Sequence, residues 1–246
     1  MTTRRSVIGV LVMMMMLVGV SGCVVRPVDS GPTRTEVRDL SEFDTIDFSG
    51  FGSMVIEQGD GYEVELTSTE SVLQRVDTEV RGGTLRIGQY RQWSLWPFFR
   101  GPQRLDVRIV APSLERVTVS GAGDVSIDGL KGERFEFKLS GAGDLSARDV
   151  DLDRLVIELS GAGSARVTGT VDTQEITISG AGDYDGRDLE GRSARVEVSG
   201  AGSVVVWAEE RLDVRASGAG SVEYYGDPQV RSDVSGVSTV TGRGRR

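Results

Sequence analysis

The stretch Ser-Gly-Ala-Gly begins at Ser120, Ser140, Ser160, Ser179, Ser199 and Ser217, and a degraded copy, SGVS, begins at Ser235. It returns every 18 to 20 residues, and the flanks of the copies fall into register. Before the glycines stand RVTV, EFKL, VIEL, EITI, RVEV and DVRA. Within them Val117/Val119, Phe137/Leu139, Ile157/Leu159, Ile176/Ile178, Val196/Val198 and Val214/Ala216 lie two residues apart, with a polar residue between. That period, rich in β-branched residues, is the pattern of a half-buried strand. The tetrapeptides after the glycines (DVSI, DLSA, SARV, DYDG, SVVV, SVEY) mostly alternate again. Each repeat therefore reads as strand, tight glycine corner, strand, second corner.

A unit of this length cannot bury its apolar side alone. Stacked on like units about 4.8 Å apart it builds one continuous core, which is the logic of a parallel β-helix, or β-solenoid. The expected fold is all-β, with about 20 residues per repeat. Gly121, Gly123 and their counterparts are expected to supply backbone angles that other residues resist and to allow close approach. Ala122 and its equivalents are expected to stack inward at the corner, and Ser120 and its equivalents to line the outside as a hydroxyl ladder. A phosphate-binding loop is excluded, since the GK[ST] ending and the following helix are missing. A calcium β-roll is disfavoured: Asp124, Asp144 and Asp183 follow the glycines, but Ser164, Ser203 and Ser221 replace them in other copies. An aspartate solvated at a turn is the plainer reading, so no metal and no cofactor is expected.

The stretch from Leu40 to Pro112 is less regular but strand-rich, with a looser corner at Ser49-Gly50-Phe51-Gly52 and one short helix expected over Glu70 to Val76. Upstream, residues 1–22 carry Arg4 and Arg5, an apolar run of about fourteen residues from Val7 to Val20, and then small residues before the only cysteine, Cys23. This is the layout of a secretory signal, and the run is short of the roughly 20 residues that span a bilayer. The ending Val-Ser-Gly-Cys resembles the lipobox of bacterial lipoproteins. By that resemblance Cys23 is lipidated and becomes the new N-terminus, so that acyl chains hold the protein on a membrane. Residues 23–38, polar and with two prolines, read as a flexible tether. Residues 39–240 then form the solenoid domain, and residues 241–246 a basic tail.

Removing residues 1–22 takes two arginines and no acid from 28 basic and 37 acidic side chains, leaving a net charge of −11. Nucleic acid, which demands clustered Lys and Arg, is not an expected partner. The chain contains no histidine and one cysteine, so Ser-His-Asp and Cys-His catalysis and His/Cys zinc sites are excluded. Carboxylate chemistry is left, with candidates such as Asp149, Asp151 and Asp153, although Asp pairs at turns are usually solvated corners. One stretch breaks the repeat: RQWSLWPFFRG, residues 91–101, gathers Trp93, Trp96, Phe98 and Phe99 beside Arg100, in a chain with three Trp and seven Phe. Pro97 prevents a regular ladder there. The stretch reads either as a loop sealing the core or as an exposed binding patch framed by Arg91, Arg100 and Arg104.

FDTIDFSGFGSMVIEQG, VDTEVRGGTLRIG and LDVRIVAPSLERVTVSGAGDVSI, followed by the SGAG copies, resemble in their order the bacterial family called "putative auto-transporter adhesin, head GIN domain". The resemblance covers roughly Leu40 to Val240. It implies a right-handed parallel β-solenoid on the cell envelope, often in lipoproteins, and implies no reaction. The expectation is a non-enzymatic, lipid-anchored envelope protein facing the periplasm or the cell exterior (on the outer membrane in a Gram-negative cell). Its solenoid would present a surface for adhesion or for contact with an envelope protein or glycan. A carbohydrate-active solenoid enzyme and an envelope-stress or assembly component are the alternatives.

Overall fold

The computed structural model of the chain describes residues 31–89 and 104–245. The first part contains β1 (Thr33–Arg38), β2 (Thr45–Ser49), β3 (Phe51–Gln58), β4 (Glu63–Thr69), a single helical turn α1 (Glu70–Leu73), β5 (Val76–Arg81) and β6 (Thr84–Gln89). After residue 103 come β7 (Leu105–Ala111), β8 (Arg116–Val119), β9 (Ala122–Asp128), β10 (Lys131–Leu139), β11 (Ala142–Leu159), β12 (Ala162–Ile178) and β13 (Ala181–Val198). The last are β14 (Ser203–Trp207), β15 (Arg211–Gly218), β16 (Ser221–Tyr225), β17 (Gln229–Gly236) and β18 (Thr239–Gly242).

These strands form a parallel β-solenoid with two ladders. The first stacks β6, β2, β8, β10, the C-terminal halves of β11, β12 and β13, then β15 and β17. The second stacks β7, β3, β9, the N-terminal halves of β11, β12 and β13, then β14, β16 and β18. The apolar residues at period two all face inward. Val117, Val119, Phe137, Leu139, Ile157, Leu159, Ile176, Ile178, Val196, Val198, Val214 and Ala216 are buried in one core. Each of the Val, Leu, Ile and Phe side chains among them contributes roughly 1.5–3 kcal/mol when fully buried.

The glycine corners are built by distance more than by angle. The amide of Ala142 donates to the carbonyl of Gly121 at 3.0 Å, Ala162 to Gly141 at 3.0 Å and Ala181 to Gly161 at 3.1 Å. In this stack a Cβ on Gly141 would lie 1.7 Å from the Gly121 oxygen, and one on Gly161 1.8 Å from the Gly141 oxygen. Gly143 adds a positive φ of 147°, but neither Gly141 nor Gly161 has one. The corner alanines are not stacked inward: Ala142, Ala162, Ala181, Ala201 and Ala219 are exposed. Backbone packs against backbone here, and the methyl has no interior to enter. Ser120, Ser140, Ser160, Ser179, Ser199 and Ser217 are exposed as expected, and the Ser160 hydroxyl donates to the Leu139 carbonyl at 3.1 Å.

The second corner is not a break in the chain. β11, β12 and β13 run straight through it for 17 or 18 residues. The bend is a bulge: the register between β11 and β12 shifts between Ala147 and Val150, where Asp149 takes a φ of 53°. A bulge inserts one residue into one strand only. That residue makes the spacing from Ser140 to Ser160 one longer than that from Ser160 to Ser179.

Chain order and stacking order differ at the N-terminal end. The β2–β3 coil is inserted between the β6–β7 coil and the β8–β9 coil. Antiparallel strands close that end: β4 pairs with β7, β1 with β4, and β5 with β6. Val64, Leu66, Val72 and Leu73 are buried under this cap. Three expectations are corrected here. The six residues of β1 lie inside the segment read as a flexible tether, because β4 offers them a free edge. The helix stops at Leu73, and Val76 already begins β5. Residues 241–245 are docked rather than a free tail, with Arg243 on Glu223 at 3.0 Å and Arg245 on Asp227 at 3.1 Å. At the other end the last coil has no cap among the described residues. Val230, Val234 and Val237 are 41%, 40% and 84% exposed.

Candidate interaction surface

Alternation that buries one side of each strand leaves the other side facing water, and the ladders line those outward residues into columns. Just past the glycine corner one column reads Asp106, Ser53, Asp124, Asp144, Ser164, Asp183, Ser203, Ser221, Thr239. Its aspartates cap the backbone of the next coil. Asp124 accepts from the Asp144 amide at 3.2 Å, and Asp183 from the Ser203 amide at 2.8 Å. Asp144 accepts from both the amide and the hydroxyl of Ser164, at 2.9 and 2.7 Å. These carboxylates serve the coil-to-coil ladder.

The outward side of the first ladder is charged. Glu136, on β10, is 4% exposed and sits among three cations. Arg116 of β8 reaches it at 2.9 Å, Lys138 at 2.8 Å and Arg134 at 3.5 Å, while Lys138 also pairs with Glu158 of β11 at 3.1 Å. Burial acts to raise the Glu136 carboxyl, but the bonds from Lys138 and Arg116 outweigh it and hold the group below the ordinary glutamate range. Two other carboxyls behave alike. Burial is overcome at Asp106 by Ser53 and Arg104, and at Asp185 by Arg187 and Arg166, so both stay ionised to lower pH than usual. A general acid for glycoside hydrolysis needs the opposite shift.

Asp149, Asp151 and Asp153 are all exposed. Asp151 and Asp153 line a shallow groove of about 290 Å³ with Asp172, Glu190, Arg192 and Glu209, and Asp151 accepts from the Thr170 hydroxyl at 3.3 Å. A second groove, of about 310 Å³, lies on the first ladder near the uncapped end. Its walls are a checkerboard: Arg195, Asp213 and Arg231 in one column, Glu197, Arg215 and Asp233 in the next. Inside the core a buried polar pair went unnoticed in the sequence. The Tyr184 hydroxyl donates to Gln174 Oε1 at 3.1 Å, and Gln174 Nε2 donates to the Trp207 carbonyl at 2.9 Å. The signal was present as DYDG, where Tyr184 stands at the position that Val125, Leu145, Ala165, Val204 and Val222 hold in the other copies.

Cys23 and the patch Trp93, Trp96, Phe98, Phe99 and Arg100 lie outside the described residues. The residues around the patch are described. Gly88 pairs with Ser49 and Leu105 with Gly52, so Gln89 and Arg104 stand on either side of the corner edge in the terminal coil. Arg104 is exposed and donates to Asp106 at 2.9 Å, at the head of the Asp/Ser column. Among the described residues no helix is long and apolar enough to cross a membrane, and no group of three or more acidic, His or Cys side chains is placed to hold a metal ion.

The class of fold is a parallel β-solenoid closed by antiparallel strands at one end, with its charges arrayed on outward columns. The chain belongs to the family described as "putative auto-transporter adhesin, head GIN domain", whose model matches residues 42–228. A structure described as a putative adhesin from Bacteroides fragilis superposes with a TM-score of 0.79 at 21% identity, covering 87% of this chain and 98% of that one. A putative lipid binding protein from Parabacteroides distasonis does so at 0.66 and 24% identity, covering 87% and 97%. A putative adhesin from Parabacteroides merdae reaches 0.56 at 19% identity, with coverage of 87% and 97%. These likenesses establish the fold. No curated protein matches the chain.

Proposed function

We propose that this protein is a non-enzymatic adhesin-type protein of the cell envelope, held on a membrane through lipid on Cys23 and displaying its solenoid to an envelope protein or glycan. The observation that carries the reading is the polarity of the molecule. Cys23 lies ten residues before Thr33, the first residue of β1, at the capped end. Nine parallel strands of the first ladder then lead away from the anchor, a rise of roughly 40 Å at the usual strand spacing. The outward columns are thus lifted clear of the bilayer. Membership of the adhesin-head family favours display over catalysis. Contact is assigned to Trp93, Trp96, Phe98, Phe99 and Arg100, on the segment that joins β6 to β7 in the coil next to the cap rather than on the far columns, because binding energy concentrates in a few Trp, Tyr and Arg anchors.

Two variants test the reading. Cys23→Ser should move the protein from the membrane to the soluble fraction, with the loss of acyl mass on the N-terminal cysteine of the wild type. Trp96→Ala with Phe98→Ala should melt within a few degrees of wild type while losing most cell- or matrix-binding. A soluble wild type carrying no acyl mass defeats the anchor. Normal binding by the double variant defeats the patch, and a collapse of its melting temperature identifies the stretch as a core seal.

A further inference from the structure

The uncapped end of the solenoid carries a strand whose sequence is complementary to itself. β17 pairs with β15 on one side only, and along its other side no described residue pairs with it. All eight of its residues are exposed, including Val230 and Val234, which occupy inward columns. The amide of Gln229 donates to the carbonyl of Glu210, the residue before β15, at 2.9 Å. Hydrogen-bonding direction alternates along a strand. The N–H and C=O groups of Val230, Ser232 and Val234 therefore point to the open edge. An edge of this length is a template for another strand unless something blocks it.

We propose that the occupant is a second copy of this chain, with β17 pairing antiparallel to β17 of its partner about a two-fold axis through Ser232. The run is Val230-Arg231-Ser232-Asp233-Val234. Centred on Ser232, the antiparallel register sets Val230 against Val234, Arg231 against Asp233 and Ser232 against itself. Every outward-pointing N–H and C=O of the three even residues then meets its complement. Both charges meet the opposite charge on the solvent side, and both valines meet a valine on the core side. The register also continues the pattern already present on this face. Arg231 lies beside Asp213 and Asp233 beside Arg215 within one chain, so across the axis each column keeps alternating in sign. A self-complementary patch of this kind closes as a symmetric dimer and does not propagate. The chain's own N-terminal segment is the weaker occupant, because β1 lies at the opposite end of the stack.

The full chain in mild detergent should show a reversible monomer–dimer equilibrium by sedimentation equilibrium. Asp233→Arg places Arg against Arg twice across the axis, and should weaken dimerisation about tenfold or more. Arg231→Asp combined with Asp233→Arg restores opposite charges across the axis while setting like charges beside Asp213 and Arg215 within the chain, so it should dimerise at least about threefold more tightly than Asp233→Arg alone without regaining the wild-type constant. Ser232→Cys supplies an independent readout. Directly opposed, hydrogen-bonded residues have Cα atoms about 5.5 Å apart, inside the range a disulfide accepts. Mild oxidation should give a reducible homodimer, whereas the wild type, whose only cysteine is Cys23, should not. The proposal is overturned by a wild type that stays monomeric at all concentrations, or by an association that Asp233→Arg leaves unchanged. It is equally overturned if the double swap dimerises no more tightly than Asp233→Arg alone, or if the introduced thiol bonds to Cys23 or to a different protein.

Discussion

A Cβ on Gly141 would stand 1.7 Å from the carbonyl oxygen of Gly121 in the coil below. No side-chain rotation relieves that contact, since both partners are backbone. Gly141→Ala must push two coils apart and loosen the bond from Ala142 to Gly121. Its cost should be about 2–4 kcal/mol, toward the upper end of overpacking effects. Two glycines outside the corners separate this cause from backbone angle. Gly129 has a φ of 71° with open space around it, so Gly129→Ala should cost only about 1–2 kcal/mol for the left-handed conformation. Gly132 has neither a positive φ nor a neighbour within 4 Å, and Gly132→Ala should be neutral or stabilising by up to about 1 kcal/mol. Denaturant melts of the three variants give the ranking. Equal effects at all three would mean that close approach does not hold the corners. The need for glycine was plain in the SGAG sentence. That Ala142 and its equivalents face solvent was not, since a small apolar residue between two glycines fits either side of a corner.

At the scale of elements, the cations around Glu136 tie β8, β10 and β11 together across the outward face. Because its carboxyl is held below the ordinary range, the stability it contributes is fully present above the usual glutamate pKa of about 4.3. That contribution is lost as the pH falls through the lowered value. Glu136→Gln should therefore destabilise by about 1–3 kcal/mol at neutral pH. The gap from wild type should close as the pH is taken down through and below the ordinary glutamate range. Urea melts at several pH values check the sign, and a gap that persists in acid would assign the effect to packing. The strands themselves were legible, because each buried pair such as Ile157/Leu159 announces its side by period two. The ion cluster was not: EFKL shows a Glu beside a Lys, but that Arg116 and Arg134 converge on the same carboxylate depends on stacking register. The bulge at Asp149 was hidden for the same reason, appearing in the sequence only as a repeat one residue longer than the next.

For the molecule as a whole, the two ends differ in what they can lose. The last coil buries little: every residue of β17 is exposed, and beyond it lies no described neighbour. A chain ending at Pro228 should still fold and unfold cooperatively, with a melting temperature lowered by no more than about 10 °C. A chain lacking residues 31–58 should not fold at all, since it removes the coil that joins β6–β7 to β8–β9. Circular dichroism melts of both truncations test this, and a folded N-terminal truncation would contradict the stacking order. That order was the least legible feature of all. Nothing in FDTIDFSGFGSMVIEQG says that the coil it builds will later be covered on one side by β6 and β7.

The interleaved start has a consequence for how such molecules change size over time. Duplicating a segment of one repeat length between Ser140 and Ala216 adds a coil whose lower and upper faces already match their neighbours, because each copy there meets the one before it and the one after it. The same event upstream of Asp128 would have to place its new coil among three that interlock out of order, with antiparallel strands already fitted to the outermost. Lineages of this architecture can therefore grow or shrink one coil at a time on the side away from the cap. The first hundred or so residues of the folded part must be inherited as a block.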